Sequence, residues 1–442
     1  MATLPKGGDA KKMLENPDTK HILVCDTGQP IEPPESMRSP KTQEELNNVY
    51  RWTIQNGIVD HHSVDGSLID IDPNLERKCA TKMIADFPDE VLQLIEERGI
   101  TQISAHFDSD FDSICSTYLA KSLLDNKKLP AFAKELSEQV NLVDYGKFDI
   151  SDPEKFARSA AGIFSGLKNI ILARQSAELG PLFGLPEDTD ELKSEKGKKI
   201  GACFAKHGNM LLETFIQFLN ACNKLYCERK GELNLTDIDV NELALEQDLR
   251  TLIQEGQEKE KKEYEKFDQE QKKAERSEVT VTTKEGKKIQ VPVVIFEKPD
   301  ANPLSIINKA YLIEDDNAII AVFAGQDREH GGDCYDIGIK PDTAGRFDLK
   351  FLEAPLNQAE AELRAPIMAE LEEKRSNGII TDEEKAKLQK WKTPRQGFEY
   401  LQQGDPSVCV AGGSLIAAST TSLLSAEQFR DVLEEVGIIK AD

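Results

Sequence analysis

In the first 150 positions, short apolar runs alternate with longer amphipathic stretches. The runs at 21–25 (HILVC), 58–59, 100–105 and 141–143 lead into Asp26, Asp60, His106 and Asp144 respectively. Between them the apolar spacing turns helical. Thr42-x-x-Glu45 has the form of a capping box. It opens a helix with Leu46, Val49, Tyr50, Thr53 and Ile54 on one face, closed by Gly57. Residues 89–98 predict a second helix, stopped by Gly99, and residues 113–124 a third, ended before Pro130. Repeated strand, turn and helix predict an α/β fold with a parallel sheet and helices on both faces. In such sheets, sites form beyond the carboxyl ends of the strands.

The pattern then changes twice. Residues 151–235 read as helical, with Leu211, Leu212, Phe215, Phe218 and Leu219 on one face. His207, Cys222 and Cys227 fall in this helical stretch and read as structural. Residues 241–277 are rich in Glu, Lys and Gln, lack Pro and carry one Gly, which predicts a long solvated helix joining two domains. Beyond it, 279–283 and 289–296 flank Lys284-Glu285-Gly286-Lys287, a hairpin signal. Strands are expected at 317–324, 334–339, 346–352 and 408–411, and helices at 360–375 and 382–391. The expected organisation is a catalytic, metal-binding domain at 1–235, a charged helical connector at 236–277 and a smaller α+β domain at 278–442.

Charge narrows the function classes. Lys plus Arg number 55 against 79 Asp plus Glu, a net charge of −24, and such a surface disfavours a grip on long duplex nucleic acid. No apolar run is long enough to span a membrane. The first residues lack the apolar core of a secretory signal, so a cytoplasmic location is expected. The eight Cys include no C-x-x-C pair and read as buried thiols.

Only six His occur, and three of them lie in two carboxylate-bearing segments that follow strand candidates: Asp60-His61-His62 and His106-Phe-Asp-Ser-Asp110-Phe-Asp112-Ser-Ile-Cys-Ser. Asp at every second position from 108 to 112 is repulsive unless something neutralises it, and a divalent cation does so. Mixed imidazole and carboxylate donors suit Mn²⁺, Co²⁺, Fe²⁺ or Zn²⁺. The competing reading is a solvated turn with helix caps.

Asp60-His61-His62 is the namesake triplet of the DHH phosphoesterase superfamily. His106-x-x-x-Asp110-x-Asp112-Ser-Ile-Cys-Ser resembles another motif of that superfamily, as found in family II inorganic pyrophosphatases and in DHH oligoribonuclease-type hydrolases. Asp26, in Val-Cys-Asp-Thr-Gly, and Asp144, in Leu-Val-Asp-Tyr, resemble two further strand-end acids. The match covers about residues 20–150 in four short pieces. The family places its H-x-x-x-D-x-D motif before DHH. The order here is reversed, so the resemblance implies a circularly permuted sheet.

The resemblance implies two divalent metal ions, Mn²⁺ first, with Co²⁺ or Mg²⁺ as substitutes. His106 and Asp110 would hold one ion, His61, Asp112 and Asp144 the other, and Asp26 would bridge them. His62 would face the substrate phosphate. Asp60 would orient a histidine through its other ring nitrogen. The C-terminal domain would bind the rest of the substrate. Its candidates are His330-Gly331-Gly332, Arg346, Arg395 and Gly412-Gly413-Ser414, where glycine amides beside Arg suit a phosphate. Two tight turns and surface arginines are the plainer alternative.

The expected activity is hydrolysis of a phosphodiester or phosphoanhydride. The substrate would be a short oligonucleotide, a dinucleotide, a nucleoside bisphosphate or pyro- or polyphosphate, with no membrane partner. A homo-oligomer is left open. The rival is a non-catalytic, metal-stabilised protein of the same fold that binds a nucleotide or a protein.

Overall fold

The computed structural model describes residues 2–4, 21–26, 33–61, 72, 74–106, 110–183, 190–283, 286–299, 306, 309–310, 314, 318–326, 333–339, 349, 352–382, 384–385, 388, 408–412 and 424–435. The chain is mixed α/β and divides into two compact units, Met1–Glu265 and Lys266–Asp442.

The first unit holds strands β1 (Ala2–Leu4) and β2 (Ile22–Val24) and helices α1 (Gln43–Gln55), α2 (Ala80–Asp86) and α3 (Pro88–Arg98). Strand β3 (Gln102–His106) and helices α4 (Phe111–Asn126), α5 (Ala133–Asp144), α6 (Pro153–Arg158), α7 (Ala160–Phe183) and α8 (Asp190–Glu228) follow. The three strands form one parallel sheet in the order β1-β3-β2. Val59 extends it through a parallel bridge to Cys25. Asp26, Asp60 and the end of β3 therefore leave the sheet from the same, carboxyl, side. Helix α4 packs on β3 and α8 on β1.

Several sequence signals act as read. Thr42 and Glu45 form both hydrogen bonds of the capping box on α1. Gly99 ends α3 in the left-handed region at φ +59°, where a side chain would be strained. The apolar face of α8 buries Phe215 against Phe111 of α4 and Phe164 of α7, with ring centroids 5.9 and 5.3 Å apart.

Other expectations are corrected. Residues 141–143 are not a strand: they lie in α5, so Asp144 ends a helix. The reason is period 3.6, since Ala133, Leu136, Ser137 and Val140, with Gln139 beside them, are the buried residues of that helix. Strand β1 and helix α2 were not expected from the sequence. Helix α2 is short and has no cap of its own.

The charged stretch forms α9 (Gln247–Lys273), through which the division between the units runs. Its one glycine has a packing reason. A Cβ on Gly166 of α7 would come within 2.3 Å of the Gly256 carbonyl oxygen, so both helices need bare backbone there.

The second unit carries a five-stranded mixed sheet, β4 (Glu275–Thr282), β5 (Lys288–Glu297), β6 (Ile319–Gln326), β7 (Asp333–Ile339) and β8 (Val408–Gly412), in that order. The expected hairpin is β4-β5, and only the β5-β6 pair is parallel. The sheet is buried on both faces. Val293, Ile295, Ile319 and Ala321 enter one core, and Val294, Phe296, Ile320 and Val322 enter another. Helices α10 (Glu353–Ser376) and α11 (Ala426–Glu435) complete it. The strand expected at 346–352 does not hold for its described residues, because Leu352 already has helical backbone at the start of α10. The helix expected at 382–391 lies mostly outside the described residues. Among the described residues, no helix is long and apolar enough to cross a membrane.

The core of the first unit makes one pH prediction. Burial pushes the Cys222 thiol of α8 well above its ordinary range. Its stabilising share is therefore full below the unfolded thiol value of about 8.5 and declines as pH rises from there toward the folded value. The stability gap between wild type and Cys222→Ala should narrow by about 1–2 kcal/mol between about pH 8 and pH 10, at roughly 1.4 kcal/mol per pH unit. Denaturant titrations at both pH values measure it, and a constant gap contradicts it.

Candidate metal centre

The centre begins with backbone geometry at the ends of strands. Asp26 follows β2 in the left-handed region, at φ +53°. Asp is one of the few side chains that tolerate this region, and held strain of this kind clusters at functional sites. The Asp26 N–H donates to the Val59 carbonyl oxygen at 2.9 Å. That bond locks the Asp26 turn beside the start of Asp60-His61. Asp26, Asp60 and His61 are all buried.

Asp112 arrives from the first turn of α4 and is 2% exposed. Its carboxylate caps another helix. Oδ2 accepts from the Ala80 N–H and Oδ1 from the Thr81 N–H, each at 2.8 Å. Neighbouring donors are satisfied in the same borrowed way. The Lys78 N–H donates to the Tyr50 hydroxyl at 3.0 Å, and the Cys79 N–H to Asn141 Oδ1 at 2.8 Å. The orphan amides that begin α2 are thus met by side chains of α1, α4 and α5. The positive end of α2 favours the negative oxygen it points at.

His61 is the point of convergence. Its Nε2 lies 3.3 Å from Asp144 Oδ2, 3.8 Å from Asp26 Oδ1 and 3.9 Å from Asp112 Oδ2. One donor atom from each of Asp26, His61 and Asp112 fits within 4.8 Å of the others. Donor atoms around a single ion, at about 2.0–2.2 Å from it, stand roughly 3.0–3.5 Å apart. The His61 contacts to Asp26 and Asp112 would have to shorten by a few tenths of an ångström for these donors to share a cation. Each carboxylate oxygen of Asp112 keeps a second lone pair beyond its amide bond. Asp144 is the partly exposed member of the group.

The other ring nitrogen of His61 is anchored. Nδ1 sits 3.2 Å from the Tyr145 hydroxyl, with the rings edge-to-face at 5.7 Å. With Nε2 turned to the carboxylates as a ligand, Nδ1 carries the hydrogen and donates it to the Tyr145 oxygen. Tyr145 has no role in the expectations drawn from the motifs. Its only signal is its place directly after Asp144.

Three buried thiols surround the carboxylates. Burial, then the negative charges of Asp112, Asp26 and Asp60, push Cys25 up. Burial, then Asp112 and Asp144, do the same to Cys79, and burial, then Asp112 and Asp110, to Cys115. The donors that meet at His61 are carboxylate oxygens and imidazole, a set that fits Mn²⁺, Fe²⁺, Co²⁺, Mg²⁺ or Zn²⁺.

The expected residues are only partly brought together. Asp26, His61, Asp112 and Asp144 converge. Asp110, expected with His106 on the other ion, is the N-cap of α4, with Oδ1 accepting from the Ser113 N–H at 2.8 Å. The backbone of His106 ends β3, but its side chain lies outside the described residues, as do His62, His330, Gly331, Gly332, Arg346, Arg395, Gly413 and Ser414. Gly412 is the last residue of β8, paired with Tyr335 of β7. No protein-family model, curated protein or solved structure matches the chain, so the reading of the site rests on its own geometry.

Replacing Asp112 by Asn leaves one acceptor oxygen for two amides and sets its NH₂ against a backbone donor. Asp112→Asn should cost about 1–3 kcal/mol in metal-free protein, the penalty of an unmet buried donor. Urea denaturation in the presence of a chelator measures it. Wild-type stability in the variant would show that the cap on α2 carries no energy.

Proposed function

We propose that the chain is a DHH-type, metal-dependent phosphohydrolase. It would cleave a phosphodiester or phosphoanhydride in a small phosphorylated substrate, using two divalent ions, Mn²⁺ first. The observation that carries this reading is the convergence of Asp26, Asp112 and Asp144 on one ring nitrogen of buried His61. Two divalent ions, if bound there, would supply a metal-activated hydroxide at neutral pH.

The chain's own residues then have distinct tasks. Tyr145 fixes the His61 ring so that Nε2 faces the carboxylates. The left-handed turn at Asp26 aims its carboxylate beside His61. His106 and Asp110 would complete the second half of the ligand set. His62 would hold a proton for the leaving oxygen, and Asp60 would orient a histidine. Substrate contacts are assigned to His330, Gly331, Gly332, Arg346, Arg395, Gly412, Gly413 and Ser414 of the second unit. The motif order implies a permuted DHH sheet. The net charge of −24 favours small substrates over long duplexes.

A second reading has an observation in its favour. Asp110 and Asp112 both cap helices, which is what a metal-stabilised, non-catalytic member of this fold would keep. Turnover separates the two. Purified protein supplied with Mn²⁺ should hydrolyse bis-p-nitrophenyl phosphate or a member of a nucleotide and polyphosphate panel. His61→Ala should lose metal and activity together. His62→Ala should keep its metal and slow hydrolysis roughly 10²–10⁴-fold, less for a substrate with a good leaving group. Metal-loaded wild type that turns over none of these would favour the non-catalytic reading.

A further inference from the structure

A second cluster of donors lies away from the strand ends, where the two longest helices of the first unit meet. Glu178 stands on α7, and Cys203 and His207 stand on α8. Cys203 and His207 are four residues apart, so they share one face of α8 one turn apart. Both are buried, at 3% and 4% exposure, and Glu178 sits over them at the solvent edge. One donor atom from each lies within 4.8 Å of the other two. His207 Nε2 is already 3.0 Å from Glu178 Oε2. His207 Nδ1, in this nearly closed spot, has no hydrogen-bond partner among the described residues. A core histidine kept only for packing would ordinarily satisfy both nitrogens.

We propose that Glu178, Cys203 and His207 form a second metal site, of the Zn²⁺ class, that clamps α7 to α8. The donor set is thiolate, imidazole and carboxylate, which selects Zn²⁺ over the hard ions suited to the first centre. Three protein ligands leave the fourth tetrahedral position to water on the exposed Glu178 side. Ligand atoms of such a site stand about 3.5 Å apart, so closure from separations under 4.8 Å needs a shift of at most about 1.3 Å.

Two groups must give way. Lys206 Nζ contacts Glu178 Oε2 at 2.6 Å, but its side chain is largely exposed and such a surface pair holds weakly. The Cys203 sulfur points at the Gln175 carbonyl oxygen, 4.0 Å away. On binding, the sulfur–metal bond forms as the S–H bond breaks, and the proton passes to solvent. The hydrogen that His207 Nε2 directs at Glu178 passes to Nδ1 through solvent as Nε2 takes the metal, so this ring releases no net proton. Affinity therefore falls as pH falls.

Co²⁺ is the probe, because a thiolate bound to it gives an intense near-ultraviolet charge-transfer band that oxygen and nitrogen ligands do not. The full chain, kept reduced by a phosphine, is titrated with Co²⁺ alone. The wild-type minus Cys203→Ser difference spectrum should contain that band once Co²⁺ is in excess over all sites. Glu178→Gln, at a solvent-exposed position, should weaken Co²⁺ binding at this site at least tenfold. His61→Ala, which removes a ligand of the first centre only, should leave the band intact. A difference spectrum without the band, or Glu178→Gln that binds as tightly as wild type, overturns the proposal.

Discussion

The carboxylate of Asp112 is the interaction on which the first unit turns. It faces two ways. Toward α2 it accepts the Ala80 and Thr81 amides, completing a helix of seven residues that has no cap of its own. Toward the strand ends it reaches the ring of His61. A short, capless helix is marginal by itself. Its start becomes definite only when Tyr50, Asn141 and Asp112 arrive from three other helices. The fold is thereby coupled to the centre: the packing that orders α2 also fixes where a negative oxygen meets an imidazole.

That coupling explains how closely structural and chemical roles overlap. Asp26 closes the turn after β2 and also faces His61. Asp144 finishes α5 and also faces His61. Gathering three acids around one imidazole in a buried place is costly through mutual repulsion, and a cation relieves that cost. The surrounding thiols, pushed toward their neutral form by burial and by the same acids, register how negative the place is.

Local pattern made part of this legible. The capping box on α1, the stop at Gly99, the aromatic face of α8 and the β4-β5 hairpin are short-range signals, and they act where they stand. Asp26 and His61 follow strand candidates in the sequence, and the structure brings them together with Asp112 of α4. What was not legible depends on distant partners. Helix α2 starts with amides capped from far along the chain, and nothing in its seven residues announces it. The apolar run at 141–143 mimics a strand until the buried positions at 133, 136, 137 and 140 are counted with it. Helix geometry also sends Asp110 to its own N-cap and Asp112 across to α2, a division that their spacing alone does not announce.

The central claim is that Asp26, His61, Asp112 and Asp144 hold a divalent cation. Asp26→Asn tests it most directly. Asn accepts the same left-handed backbone and nearly the same volume, so the turn survives while one anionic donor is lost. Calorimetric titration of Mn²⁺ into chelator-stripped wild type and variant is the measurement. At least a tenfold loss of Mn²⁺ affinity with an unchanged circular dichroism spectrum is the result this account predicts. Equal affinity in the two proteins, or no Mn²⁺ binding by wild type, would contradict it.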